Sequence, residues 1–102
     1  MNLLKRYIPK YSGHVESIKY LPELGEIILV FFDWPEQFKP VLKMTFTGVT
    51  EYCEEKLDDD PAGNYIELVI GLDEVNGRYC LHTDLREITF KAVAVSSVNL
   101  NS

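Results

Sequence analysis

The chain has 102 residues, enough for one domain spanning 1–102 with a modest hydrophobic core that needs no disulfide or metal staple. Its 16 acidic and 10 basic residues give a net charge of -6, which repels phosphate groups and so disfavours nucleic acids and anionic membranes as partners. The longest apolar run covers only 27–32, and MNLLKRYIPK is no secretory signal, so we expect a cytoplasmic protein whose two cysteines are free thiols.

The first predicted elements are a short helix and two strands. Residues 2–8 (NLLKRYI) are compatible with one short N-terminal helix. Residues 14–21 (HVESIKYL) have apolar positions at helical spacing, but their β-branched and aromatic content favours a strand that ends in a turn at 22–25. Residues 26–33 follow, and because both faces of IILVFF are apolar we expect a central strand covered on both faces.

Two further segments alternate between apolar and polar residues. The alternation in VLKMTF predicts a strand at 41–50, in which Gly48 offers a place for a bulge. The segment 86–95 (REITFKAVAV) alternates in the same way until its small residues, where the buried side can change. The tail SSVNLNS is predicted to fray.

Asn76-Gly77 is the strongest hairpin signal in the chain, because both residues tolerate the positive φ angles of a type I′ turn. It joins predicted strands at 65–74 and 78–83. The turn predicts two cross-strand pairs, Leu72 with Leu81 and Ile70 with Thr83.

These elements predict an all-β fold, an antiparallel sandwich or half-open barrel of about six strands. The predicted strands are 14–21, 26–33, 41–50, 65–74, 78–83 and 86–95.

The stretch EYCEEKLDDDP concentrates negative charge: Glu51, Glu54, Glu55, Asp58, Asp59 and Asp60 are opposed only by Lys56. A calcium site needs oxygens that converge on one ion, and the consecutive carboxylates of 58–60 cannot all point inward, so no metal is expected. Burying six like charges would require more counter-charge than Lys56 supplies. We therefore expect a solvent-exposed acidic loop between the third and fourth strands.

Beyond a plain solvated loop, this stretch is a candidate docking surface for a basic protein, because concentrated charge accelerates association with an oppositely charged partner. Aromatic side chains nearby supply the anchors that interfaces favour. The candidate partner-binding residues are Glu51, Tyr52, Glu54, Glu55, Asp58, Asp59, Asp60 and Trp34.

Catalytic signatures are absent from the sequence. Neither His14 nor His82 lies in a recognisable spacing with a nucleophile and an orienting acid, although a structural contact between His14 and Asp33 is conceivable. Cys53 lies among carboxylates, which disfavour a thiolate, and no phosphate-binding loop is present. We expect no cofactor and no enzymatic activity.

Three segments between residues 13 and 95 carry a resemblance to a known group of proteins: GHVESIKYL, MTFTGVTEY and EITFKAVAV. They resemble segments of a diffuse group of small bacterial β-proteins. Some members of that group look like immunity proteins that neutralise toxins. The resemblance implies a protein-binding module of the immunity type and transfers no site residues. The alternative function is small-molecule binding by a β-sandwich or barrel.

Overall fold

The computed structural model describes residues 14–32, 40–57 and 67–100, without the side chains of Phe32 and Val41. The described residues form eight strands and no helix, and hence none long and apolar enough to cross a membrane. The predicted N-terminal helix (2–8) lies outside them. The strands are β1 (His14–Leu21), β2 (Glu26–Phe32), β3 (Pro40–Thr47), β4 (Thr50–Lys56), β5 (Glu67–Val75), β6 (Arg78–Thr83), β7 (Arg86–Lys91) and β8 (Ala94–Asn99).

All eight strands belong to one antiparallel sheet in the order β4-β7-β6-β5-β1-β2-β3-β8, which confirms the all-β antiparallel prediction. The end strands β4 and β8 are not paired with each other, so the sheet is not closed. At its centre, the described residues join β1 and β5 through two pairs alone, His14 opposite Leu68 and Val15 opposite Glu67. This short joint divides the sheet into two halves, which we call the β1 half (β1, β2, β3, β8) and the β5 half (β4, β5, β6, β7).

The two halves pack face to face. Phe46 of β3 makes edge-to-face contacts with Tyr79 and Phe90 of the β5 half, with ring centroids 5.1 and 5.0 Å apart. Burying such rings removes a large apolar area from water, and this dominates the stability of the fold. The buried core consists of Val15, Ile27, Leu29, Phe31, Leu42, Met44, Phe46, Val49, Val69, Leu72, Tyr79, Leu81, Ile88 and Phe90.

Strand β2 lies between β1 and β3, so the prediction of a central strand is confirmed as to its place in the sheet. Ile27, Leu29 and Phe31 are fully buried against the β5 half. On the other face Ile28 and Val30 are only partly buried. Among the described residues, the cover predicted for both faces of β2 is therefore complete on one face and partial on the other.

A sharp corner divides two of the predicted strands. The segments predicted at 41–50 and 86–95 are each interrupted, at Gly48-Val49 and Ala92-Val93, which gives eight strands instead of about six. The pairing keeps one register across the corner, with Thr47 opposite Ala94 before it and Thr50 opposite Lys91 after it. A single two-stranded ribbon thus bends from the β1 half into the β5 half.

Gly48 makes this bend possible. Its φ of +65° lies in the left-handed region, and a Cβ there would stand 2.5 Å from Cγ2 and 2.8 Å from Cβ of Val93. The Val93 amide donates to the Thr47 carbonyl at 2.9 Å. Only glycine combines that backbone angle with so close an approach.

The predicted fraying of the tail is wrong for 96–99, which belong to β8 and pair with β3. The buried side changes at the corner, as the small residues suggested. Ile88 and Phe90 point into the core before it, whereas Val95 lies opposite the buried Phe46 after it.

The Asn76-Gly77 hairpin is confirmed: both residues have positive φ, and Leu72 pairs with Leu81. The predicted pairing of Ile70 with Thr83 is wrong, because a bulge between Val69 and Gly71 places Val69 opposite Thr83. Val69 is therefore buried and Ile70 is 55% exposed. A bulge reverses the side-chain alternation, which a strict period of two cannot anticipate.

Candidate functional site

The first part of the acidic stretch is a strand. Residues 50–56 form β4 and pair with β7, so the predicted loop at 51–60 is wrong for 51–56. Asp58, Asp59, Asp60 and Trp34 lie outside the described residues. The prediction failed because it assumed that only Lys56 opposes the carboxylates, whereas other strands supply cations.

Alternation along β4 sends its side chains to opposite faces of the sheet. Glu54 lies opposite the fully buried Ile88, so it shares the inner face that bears the core. Cys53, opposite Thr89, and Glu55 lie on the outer face. The candidate docking residues are therefore divided between two environments.

On the inner face, Arg86 of β7 binds Glu67 of β5 through two parallel hydrogen bonds, Nε to Oε2 at 2.9 Å and Nη2 to Oε1 at 2.7 Å. Its third nitrogen, Nη1, donates to Oε1 of Glu54 at 3.2 Å. The hydroxyl of the fully buried Thr83 donates to Oε2 of Glu67 at 2.6 Å. Guanidinium and carboxylate match in shape and charge, which makes this geometry strong and directional.

Tyr52 extends these contacts toward the β1 half. Its hydroxyl donates to Oε1 of Glu54 at 2.8 Å, and its ring stacks on Tyr20 of β1 with centroids 3.9 Å apart. Burial, together with the Glu54 carboxylate, raises the pKa of Tyr52 well above its ordinary value. We call Tyr52, Glu54, Glu67, Thr83 and Arg86 the Arg86 network. It closes one end of the core and fixes Tyr52 and Glu54 in structural roles.

Glu51 is also paired within the chain. It has a positive φ of 54° and lies 2.8 Å from Lys91 Nζ and 3.6 Å from Arg78 Nη2. The hydrogen bond from Lys91 and the charge of that ammonium lower the pKa of Glu51. Glu51 and Glu54 therefore meet cations of β6 and β7 that are distant in sequence.

Glu55 has a different environment. It is exposed, makes no ion pair with any described residue, and lies directly opposite Glu87 of β7. Glu87 is in turn opposite His82 of β6, whose Nδ1 lies 3.5 Å from Oε2 of Glu87. We call Glu55, Glu87 and His82 the acidic row. Directly opposed like charges on neighbouring strands repel, and His82 offsets the charge of Glu87 only when its imidazole is protonated.

The residues around the acidic row do not form an activated nucleophile. Cys80 is the cysteine nearest in sequence to His82, but burial and the neighbouring Glu87 carboxylate raise the pKa of its thiol. A raised thiol pKa lowers the thiolate fraction, the reverse of what nucleophilic catalysis requires. His82 and Glu87 are 42% and 41% exposed on an open face.

His14 lies at the joint between the halves, opposite Leu68. Burial lowers its pKa, and the charge of Asp84 partly opposes that shift. The carboxylate acting on His14 is therefore Asp84, whereas Asp33, the partner considered from the sequence, lies outside the described residues.

The lowered pKa of His14 predicts a small loss of stability in mild acid. The unfolded chain binds a proton near pH 6.5 more readily than the folded chain does, so the free energy of unfolding falls as the pH drops below that value. We expect His14→Asn to lose less stability than the wild type between about pH 7.5 and pH 5.5, measured by urea unfolding. Equal losses in both proteins would contradict the contribution assigned to His14.

Apolar side chains of the two halves meet between them. Phe31, Phe46 and Phe90 are fully buried there. A cavity of about 230 Å³ lies elsewhere, at the turn formed by residues 21–24.

Within the described ranges, no group of three or more His, Cys, Asp or Glu side chains is arranged to hold a metal ion. No protein-family model, curated protein or solved structure matches the chain significantly.

The sequence interpretation missed Arg86, Glu67 and Thr83, and treated Glu87 only as a polar strand residue. Arg86 and Glu54 are 32 residues apart, so no local spacing reveals their contact. The available signal was the pattern of REITFKAVAV, which predicted a strand but not its neighbours. Pairing β4 with β7 would have brought Glu54 near Arg86 and Glu55 opposite Glu87, whereas the contacts of Glu67 depend on the position of β5.

Proposed function

We propose that the protein acts by binding rather than catalysis, and that its acidic row receives a cationic side chain of a basic partner protein. The supporting observation is the direct opposition of Glu55 and Glu87 on the exposed face of two paired strands. Glu51 and Glu54 have cations within the chain, whereas Glu55 has none among the described residues. The proposed site is thus smaller than the acidic stretch and includes a residue outside it.

An arginine of the partner suits this site best. Two carboxylates on directly opposed strand positions stand about 5 Å apart at their Cβ atoms. A planar guanidinium with five donors can bridge two carboxylates, which a compact ammonium does less well. Binding would then remove the repulsion between the Glu55 and Glu87 carboxylates, and this relief would strengthen the affinity for the partner. A basic toxin that an immunity-type protein neutralises would be one partner with an exposed arginine of this kind.

The direct test measures binding of an octapeptide of alternating arginine and glycine. Glu55→Gln combined with Glu87→Gln should weaken binding of the peptide about tenfold. This loss should shrink at about 1 M salt, where charges more than about 3 Å apart are largely screened. The same double variant should match the stability of the wild type to within about 1 kcal/mol, because the repulsion that it removes offsets the lost contact between Glu87 and His82. Calorimetric titration and thermal unfolding provide the two measurements.

The matched control is Glu16→Gln combined with Glu23→Gln, which removes the same charge from two other exposed positions. Equal weakening by both double variants would reduce the effect to net charge and contradict the proposal. If the row variant alone loses binding, the same three proteins can be immobilised to capture partners from the native host. A basic protein retained by the wild type and the control, but not by the row variant, would identify the partner.

A further inference from the structure

The two end strands of the sheet differ in how they are protected. In β4 the pairing with β7 shifts register between Thr50 and Cys53, Glu51 has a positive φ, and charges follow at 54–56. Bulges and charges are the usual devices that stop an end strand from pairing with another chain. Strand β4 is therefore protected against strand addition.

Strand β8 has none of these devices. Its sequence AVSSVN contains no charge and no proline, and its six residues pair with β3 without a register shift. In a chain that is 25% charged, all residues from 92 to 102 are uncharged. The other side of β8 pairs with none of the described strands. Such a regular, uncharged strand presents its outward backbone groups as a template for a further strand.

Exposed apolar side chains accompany this edge. Val98 is 56% exposed within β8, and Val93 and Leu100, which flank the strand, are 86% and 43% exposed. Single exposed aliphatic residues are ordinary, but three of them beside an open strand edge add apolar contact to whatever pairs there.

We propose that β8 pairs antiparallel with β8 of a second copy, which joins the two sheets in a two-fold symmetric dimer. In any antiparallel self-pairing, every opposed pair is drawn from alanine, valine, serine and asparagine, so no like charges meet. This matters because each copy carries a net charge of -6 and would repel its partner through most other surfaces. Strand β8 itself contributes no charge to that repulsion.

The expected dimer is weak. A six-residue strand spans about 20 Å, and an interface of that length is at the small end of specific protein contacts. We expect a dissociation constant on the order of 10–100 µM. The acidic row lies in the β5 half and keeps its exposed face, so the dimer would present two rows.

Sedimentation velocity between about 5 and about 500 µM should show dimer increasing with concentration. Ser96→Lys places two cations near the axis and should weaken dimerisation at least tenfold, and Ser96→Asp should do the same with two anions. Mixing the two variants should restore the dimer, because opposite charges then meet, and this restoration excludes misfolding as the cause. Asp73→Asn, which changes the net charge by the same amount as Ser96→Lys, should leave dimerisation unchanged.

A wild type that remains monomeric throughout this range would overturn the proposal. So would a dimer that the Ser96 variants leave intact, since its interface would lie elsewhere. The Ser96→Lys monomer should still bind the arginine–glycine octapeptide, so this test and that of the acidic row can fail independently.

Discussion

Replacing Arg86 with Met should lower the free energy of unfolding by about 2–4 kcal/mol, measured by urea unfolding at neutral pH. Glu67 has a side chain only 11% exposed and would lose both guanidinium hydrogen bonds while staying in poor contact with water. Glu54 would lose its bond to Nη1 in the same change. Methionine keeps most of the apolar stem, so the loss reports on the ionic contacts more than on packing.

The matched control for this prediction is Arg78→Met. Arg78 forms its ion pair with Glu51 at 3.6 Å, and both side chains are about half exposed. Exposed pairs contribute little, so we expect a change of at most about 0.5 kcal/mol. Arg86→Lys should fall between the two, since lysine keeps the charge but cannot reproduce the paired hydrogen bonds. Equal losses in Arg86→Met and Arg78→Met would contradict the role assigned to the Arg86 network.

Gly48→Ala should lower the free energy of unfolding by about 2–3 kcal/mol. Alanine at a φ of +65° is strained, and its Cβ would meet Cβ and Cγ2 of Val93 at 2.8 and 2.5 Å. Because Cβ of Val93 is attached directly to the backbone, relief requires the corner itself to shift. The same urea measurement gives the loss.

Gly71→Ala is the matched control, since a Cβ there has no atom within 4 Å and the residue does not have a positive φ. We expect its stability to change by at most about 0.5 kcal/mol. Adding Val93→Gly to Gly48→Ala should recover the steric part of the loss but not the backbone part. A Gly48→Ala protein as stable as Gly71→Ala would show that the corner tolerates side chains.

The contact between Arg86 and Glu54 also shows why the acidic stretch was misread. The sequence analysis treated Glu54 and Glu55 alike, as exposed carboxylates of one loop. Glu54 is hydrogen-bonded to Arg86 and Tyr52, so its loss should reduce stability, whereas Glu55 lies opposite Glu87 and has no ion pair among the described residues. Adjacent residues of a strand face opposite sides of the sheet, and this separates a structural carboxylate from a candidate binding one.

Several elements could be predicted because their signals are local. The buried sides of β3 and β7 follow from alternation within each strand, and the turn at Asn76-Gly77 follows from the φ angles that these two residues tolerate. Where a local rule was interrupted, the prediction failed. The bulge at Ile70 and the corner at Gly48 depend on how the strand packs against its neighbours.

The sequence by itself determined that this chain forms antiparallel strands with known buried sides, because side-chain alternation and turn chemistry act over a few residues. The tertiary structure alone decided which strands are neighbours. The pairing of β4 with β7 brings Arg86 to Glu54 and sets Glu55 opposite Glu87, and it leaves β8 at the opposite end of the strand order from β4. The charges can be counted from the sequence. Whether a charge is neutralised depends on its distance from other charged groups, and only the folded structure sets that distance.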